Sequence, residues 1–267
     1  MAWAIPTLVA AVVMISAAPG FARAADDGEA VARSRAAIEA LASGRSECTL
    51  GRDGAVRYIG PTDDSLVACL AEYSRDGKSL FVSSGGGDAS KAIEAGDILT
   101  GLHWDVRVLG MCASSCGNYI LPSAASVAVE PYSAILLHGG PVDSEAFIRL
   151  VQDQVEAKQR SAYPDVTREF VQQGRTLMRS ITIRVIAEHQ AFVSEHAVGG
   201  DWYDLTEFAG PPGGFTPSDF AVVDPTYFSR EVSRVRTGDF WYPRTAEERA
   251  KMTELITDAQ LYYRPEP

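Results

Sequence analysis

An α/β fold built on a mostly parallel sheet is what this sequence predicts, and three observations predict it. Strand-like and helix-like patterns alternate at least three times between Ala55 and Leu137. The strand-like runs are short and largely apolar, with glycine or proline within two residues after the last residue of each, the punctuation of buried strands. The intervening runs carry apolar residues at helical spacing, so each strand returns beside its predecessor through a helix, the right-handed βαβ arrangement.

Taken in order, Asp26 to Arg45 is rich in Ala and Glu, with Val31, Ile38 and Leu41 at helical spacing, and reads as an exposed helix or lead-in arm. Ala55-Val56-Arg57-Tyr58-Ile59 alternates as a strand and stops at Gly60-Pro61. Thr62 or Asp63 can cap the next helix, whose apolar face is Leu66, Val67, Leu70 and Tyr73. Ser79 to Ser83 is a strand, and Asp88 caps a helix with Ala92, Ile93, Ala95 and Leu99 on one side. Asp105 to Leu109 is the following strand, and a serine turn opens a helix through about Leu121. Val127 to Val129 and Ala134 to Leu137 complete the set.

Ser144 to His196 is helical, broken at Tyr163-Pro164, with one stripe of Ile148, Val151 and Val155 and a second of Phe170, Leu177, Ile181, Val185 and Phe192. Such helices cover a sheet or meet another subunit, and His189 and His196 read as packing or surface residues. Beyond Gly199 the chain turns to aromatics, prolines and glycines, then a short Phe215 to Val223 segment and a last helix around Ala246 to Leu261.

A formal net charge of -11 and the lack of any basic cluster argue against a nucleic-acid surface, because nothing would replace the phosphate counterions. Ile5 to Ala18 is almost unbroken apolar sequence, followed by Pro19-Gly20 and Ala22-Arg23-Ala24, the parts of a secretory signal peptide cleaved near Ala24. About 14 apolar residues fall short of the roughly 20 that span a bilayer, which weighs against an uncleaved anchor. The expected localisation is therefore exported, periplasmic or secreted, with no stable membrane span after cleavage.

Export gives the four cysteines meaning. Cys48 in a strand-like run and Cys69 on an amphipathic helix are expected to form a disulfide in an oxidising compartment. Cys112 and Cys116 lie four apart; on one helical turn they suit a disulfide poorly, so buried thiols are an equal expectation. A zinc site would need further ligands, and His138 is the one obvious addition. No metal and no cofactor are expected.

The chemistry concentrates between Leu80 and Gly140. Ser83-Ser84-Gly85-Gly86-Gly87-Asp88 follows a strand and opens a helix, yet it is neither G-x-G-x-x-G nor a Walker loop. A glycine run that brings backbone amides to a reacting oxygen suits these residues better. Ser114-Ser115 could be an ordinary helix cap, and G-x-S-x-G is absent. His138 ends a strand and could equally be a hydrogen-bonded core histidine. Each feature alone has a bland reading; amide donors, a serine and a histidine in this strand–helix order together point to acyl transfer.

Val82-Ser83-Ser84-Gly85-Gly86-Gly87, Ala113-Ser114-Ser115-Cys116-Gly117-Asn118-Tyr119-Ile120-Leu121 and Ile135-Leu136-Leu137-His138 resemble the proteolytic subunit of Clp protease. They are also similar to signal peptide peptidase A and the wider crotonase-like superfamily, above all to exported Clp-protease-like bacterial proteins. The resemblance covers Ala55 to Gly140 and resumes at Thr216 to Asp224. It implies a Clp/crotonase-like spiral of ββα units with a mostly parallel sheet, plus a helical C-terminal part. The domain plan is then a signal peptide over 1–24, a helical arm over 25–46, a Clp/crotonase-like domain over 47–225, and a tail with a short helix over 226–267.

The resemblance also distributes roles. The nucleophile falls on Ser115 when counted from Gly117 and on Ser114 when counted from Gly110, with Ser115 preferred. Oxyanion donors fall in the glycine run, at Gly87 with Gly86 beside it, and on the Cys116 amide. The general base falls on His138. A third triad member has no firm counterpart, leaving Asp201, Asp204 and Asp219. No lysine stands where a signal peptide peptidase has its base. The expected function is an exported serine hydrolase, a peptidase in one form, acting on a peptide or acyl substrate. Its rival is a catalytically silent exported scaffold or binding protein of the same fold. Clp relatives form rings, so a homo-oligomer is open as well.

Overall fold

The computed structural model describes residues 27–141, 143–211, 215–216 and 218–265. The expected signal peptide lies outside the described residues.

Nine strands, counted among the described residues, form one mixed sheet whose pairings are mostly parallel. Strand β1 (Glu47–Leu50) runs antiparallel to β2 (Ala55–Ile59), which leads through helix α2 (Asp64–Tyr73) to β3 (Ser79–Ser84). Helix α3 (Ala89–Leu102) then returns the chain to β4 (Asp105–Ala113). The β2/β3 and β3/β4 pairs are parallel, as the alternating pattern requires.

Strand β4 is the axis of the sheet. Its first half pairs with β5 (Ser126–Val129) and its second half with β6 (Ala134–Leu137), both parallel. Between the halves the register against β3 slips, Val82 facing Val108 but Ser84 facing Cys112. Gly110 sits in that bulge at φ +74°, a conformation that costs other residues energy and glycine little. Its amide donates to Ser133 Oγ at 2.9 Å.

The period-2 alternation of strand residues divides the core between two sheet faces. Cys112, Ile135 and Leu137 face the larger cluster with Leu66, Leu70, Leu99 and Tyr119. Ala113, Leu136 and Val222 face a smaller one with Met252, Leu255 and Ile256. Helix α1 (Asp27–Ala42) packs on this second side: Ala30, Ser34 and Ala37 are buried, and Ser34 Oγ donates to the Tyr132 carbonyl. Read from sequence as an exposed helix or arm, α1 is part of the covering layer.

Helix α4 (Glu145–Ala162) and helix α5 (Arg168–His196) form the expected pair broken at Tyr163-Pro164. Ile186, His189, Phe192 and His196 of α5 are buried, so both histidines pack rather than meet solvent. Helix α6 (Asp201–Asp204) follows, then β7 (Asp219–Val222), antiparallel to β6. Helix α7 (Pro225–Glu231), strand β8 (Arg236–Phe240), helix α8 (Ala246–Leu255) and strand β9 (Gln260–Tyr263) complete the chain. The last helix therefore ends six residues before Leu261, which lies instead on β9. Strands β8 and β9 join the sheet edges beside β5 and β7. Among the described residues no helix is long and apolar enough to cross a membrane.

Candidate active site

The C-terminal ends of β3, β4 and β6 lie side by side, and the glycine run, the serine pair and His138 leave the sheet there. Their registers bring these ends together, Ser84 facing Cys112 and Leu136 facing Ala113, so three segments separated by tens of residues converge at one end of the sheet.

Ser114 is the first residue beyond β4. It adopts φ +54°, which is unfavourable for a non-glycine residue and persists only where the surroundings enforce it. Three contacts do so. Its amide donates to the Leu136 carbonyl at 2.9 Å, and its carbonyl accepts from the Asn118 amide at 2.9 Å. Cys112 before it and Cys116 after it are joined as a disulfide, their Cα atoms 5.2 Å apart.

That disulfide corrects the expectation of poor geometry, which assumed one helical turn. Cys112 belongs to a strand and Cys116 opens a single wide π turn (Cys116–Ile120), so the reversal between them brings the sulfurs together. The expected Cys48–Cys69 disulfide is also present, joining β1 to α2.

Ser114 is the serine that meets His138: Nε2 lies 2.6 Å from its Oγ. With the proton of the neutral ring on Nδ1, Nε2 accepts the hydroxyl proton. Burial pushes the His138 pKa below its ordinary value, because a desolvated imidazolium is disfavoured. The ring of Phe220 packs edge-on against it, centroids 5.4 Å apart. Asn118 Nδ2 donates to the Gly139 carbonyl at 3.0 Å and so ties the π turn to the chain just past His138.

Ser115, preferred in sequence as the nucleophile, has a different place. It is buried, and its Oγ accepts the Gly87 amide at 2.8 Å and lies 2.8 Å from Thr62 Oγ1. Thr62 is itself fully buried; its amide donates to the Gly86 carbonyl, and its carbonyl accepts the Asp88 amide. Ser115 thus joins the serine turn to the glycine run. Its helix-capping alternative fails too, since its side chain makes no capping bond. Asp63, not Thr62, caps α2.

The Gly87 amide, expected to serve an oxyanion, is engaged by Ser115. Gly86 lies against Ser114: at φ +92°, a β-carbon there would sit 2.7 Å from Ser114 Cβ and 2.8 Å from the Ala113 carbonyl. Its amide makes a long 3.2 Å bond to Ser84 Oγ. Cys116 stands one residue too far along to be the amide adjoining Ser114; that position is Ser115's.

None of the three candidate acids bonds His138. Asp219 accepts from the Thr216 hydroxyl and amide and from Tyr262 Oη. Asp201 accepts from Thr206, and Asp204 is exposed. Among the described residues, no group of three or more His, Cys, Asp or Glu side chains is arranged to hold a metal ion.

The sequence reading gave Thr62 only a capping role and gave Asn118 and Phe220 no role in the site. Each acts through a contact with a distant segment, and no local pattern marks it. No protein-family model matches the chain, and no curated protein matches it.

Proposed function

We propose that this chain is an exported serine hydrolase that cleaves an acyl bond with a Ser114–His138 pair. The observation that carries the reading is the 2.6 Å contact between His138 Nε2 and the hydroxyl of Ser114, on a residue held at φ +54°. A serine at the tip of a strained strand-to-helix reversal presents its oxygen clear of its own backbone.

In this reading His138 takes the Ser114 proton as Oγ bonds to the acyl carbon. The carbonyl oxygen becomes an oxyanion beside the Ser115 amide and the glycine run. Collapse breaks the bond to the leaving group, which takes the proton from His138; water, deprotonated by His138 in turn, releases the acid and restores Ser114. The depressed His138 pKa favours this role, since the imidazole is neutral and able to accept at pH 7. A donor aimed at the oxyanion typically contributes about 10²–10³ in rate. The Clp/crotonase-like spiral belongs to the same proposal, supported by the glycine run, serine turn and histidine lying at the ends of three adjacent parallel strands. Two disulfides are compatible with export.

Two observations favour the rival, a silent scaffold: His138 bonds no carboxylate among the described residues, and the Gly87 amide is turned inward to Ser115. Reaction of the folded, oxidised protein with a fluorophosphonate probe separates the two. A hydrolase is labelled and loses labelling in H138A; a scaffold is not labelled at all.

A further inference from the structure

A cavity of about 400 Å³ opens on the second face of the sheet, beneath α1 and the segment that follows α8. Four of its wall residues bear on the Ser114–His138 pair. Ala113 precedes Ser114 in the chain, Leu136 receives the Ser114 amide, Gly85 begins the glycine run, and Phe220 packs against His138. His138, the residue after β6, lies on this side as well, its ring against Phe220 of the cavity wall.

The remaining wall, Thr257 apart, is apolar and comes from α1, the segment after α8 and the sheet. Ile38 and Ala42 of α1 stand on one side, Leu255, Ile256 and Ala259 on the other, with Met111 on the sheet. The rim is ionic: Glu39, Glu254 and Asp258 lie with Arg35, and Glu254 also pairs with Lys251 at 2.6 Å, so these five side chains leave an excess of one negative charge. Gly85 leaves the wall open, since a β-carbon there would meet nothing within 4 Å. Volume and lining are those of a small-molecule or side-chain site.

We infer that this cavity receives an uncharged apolar group attached to the scissile carbonyl, and that α1 and the segment after α8 set its size. The inference rests on the hydrolase reading above and adds the substrate class. Either an aliphatic acyl chain or the apolar side chain of a peptide residue supplies that chemistry. The acidic rim disfavours the same group ending in a carboxylate.

The test uses p-nitrophenyl esters from acetate to octanoate, a succinate half-ester, and peptide anilides with Leu or Asp before the scissile bond. On the wild-type protein kcat/KM is expected to rise about fourfold per methylene until the cavity is full. The succinyl ester and the Asp anilide fall well behind their apolar counterparts; relative turnover of octanoate and the Leu anilide shows which source the site prefers. Ile38→Trp fills the cavity and flattens the chain-length series. Ala42→Trp, at an exposed helix end, does the same if the first variant folds poorly. A protein that is labelled by a fluorophosphonate but shows no chain-length preference overturns the cavity assignment and leaves the hydrolase standing. If labelling fails, the hydrolase reading falls, and binding of the esters to Ser114→Ala protein by calorimetry decides the cavity. Affinity that is independent of chain length overturns it, and affinity that grows with length and is lost in the Trp variants supports it.

Discussion

Replacing Gly86 with alanine should damage both stability and reactivity, because the glycine is pressed against the serine turn. At φ +92° the new residue is strained wherever its side chain goes, at a cost of about 1–3 kcal/mol. Its β-carbon would also lie 2.7 Å from Ser114 Cβ and 2.8 Å from the Ala113 carbonyl, against the roughly 3.5–4.0 Å at which carbon atoms are comfortable. One partner is backbone, so relief requires moving the strand end or the glycine run by about 1 Å, and displacements of that size cost on the order of 10²-fold in rate. A loss of roughly 2 kcal/mol corresponds to a fall in Tm of roughly 4–8 °C for a domain of this size. Differential scanning calorimetry and the rate of fluorophosphonate labelling measure the two effects. Gly85→Ala is the comparison: a β-carbon there meets open space, and its Tm should stay within about 2 °C of wild type. A Gly86→Ala protein with wild-type Tm and labelling rate would refute the packing argument and with it the placement of the glycine run against Ser114.

Labelling should depend on pH through His138. Burial lowers its pKa below the ordinary 6.5, so the rate should climb on an acidic limb centred below pH 6.5 and level off above it; an inflection above 7 would contradict the assignment. The same sign governs stability. His138, His189 and His196 are all depressed by burial, so the folded state binds fewer protons than the unfolded chain. Their contribution is whole above about pH 6.5, the unfolded value, and is lost as pH falls through the folded values, which thermal melts between pH 8 and 5 would register. The two disulfides should separate by function. Removing Cys48–Cys69, 21 residues apart in sequence, should cost about 3 kcal/mol and leave labelling intact, whereas removing Cys112–Cys116, four apart, should cost about 2 kcal/mol and slow labelling by releasing the Ser114 turn. Paired Cys→Ala variants in denaturant melts and probe reactions test both halves.

Much of the fold was legible because it is local. Each βα unit carries its own alternation, its own turn residues and its own cap, so β2 through α3 follow directly from the chain. Strands β8 and β9 were not. Arg236–Phe240 is polar along most of its length, and Gln260–Tyr263 is four residues long; both are strands only because a sheet edge with unpaired backbone groups lies beside them. The same distinction runs through the site. The convergence of glycines, serines and His138 was readable, since each follows the carboxyl end of a predicted parallel strand. The choice between Ser114 and Ser115 was not, since it is made by Thr62 drawing Ser115 inward and by a disulfide whose feasibility depends on where β4 stops. The third member of a triad stayed open in sequence, and Asp201, Asp204 and Asp219 are all committed elsewhere or exposed.

Mass-spectrometric mapping of the fluorophosphonate adduct bears most directly on the proposed chemistry. A single adduct is expected on Ser114, abolished by Ser114→Ala. Ser115→Ala should keep it, although losing the acceptor for Gly87 and the Thr62 bond should destabilise the fold by about 1–3 kcal/mol. An adduct on Ser115, or no adduct on the folded, oxidised protein, would contradict that chemistry.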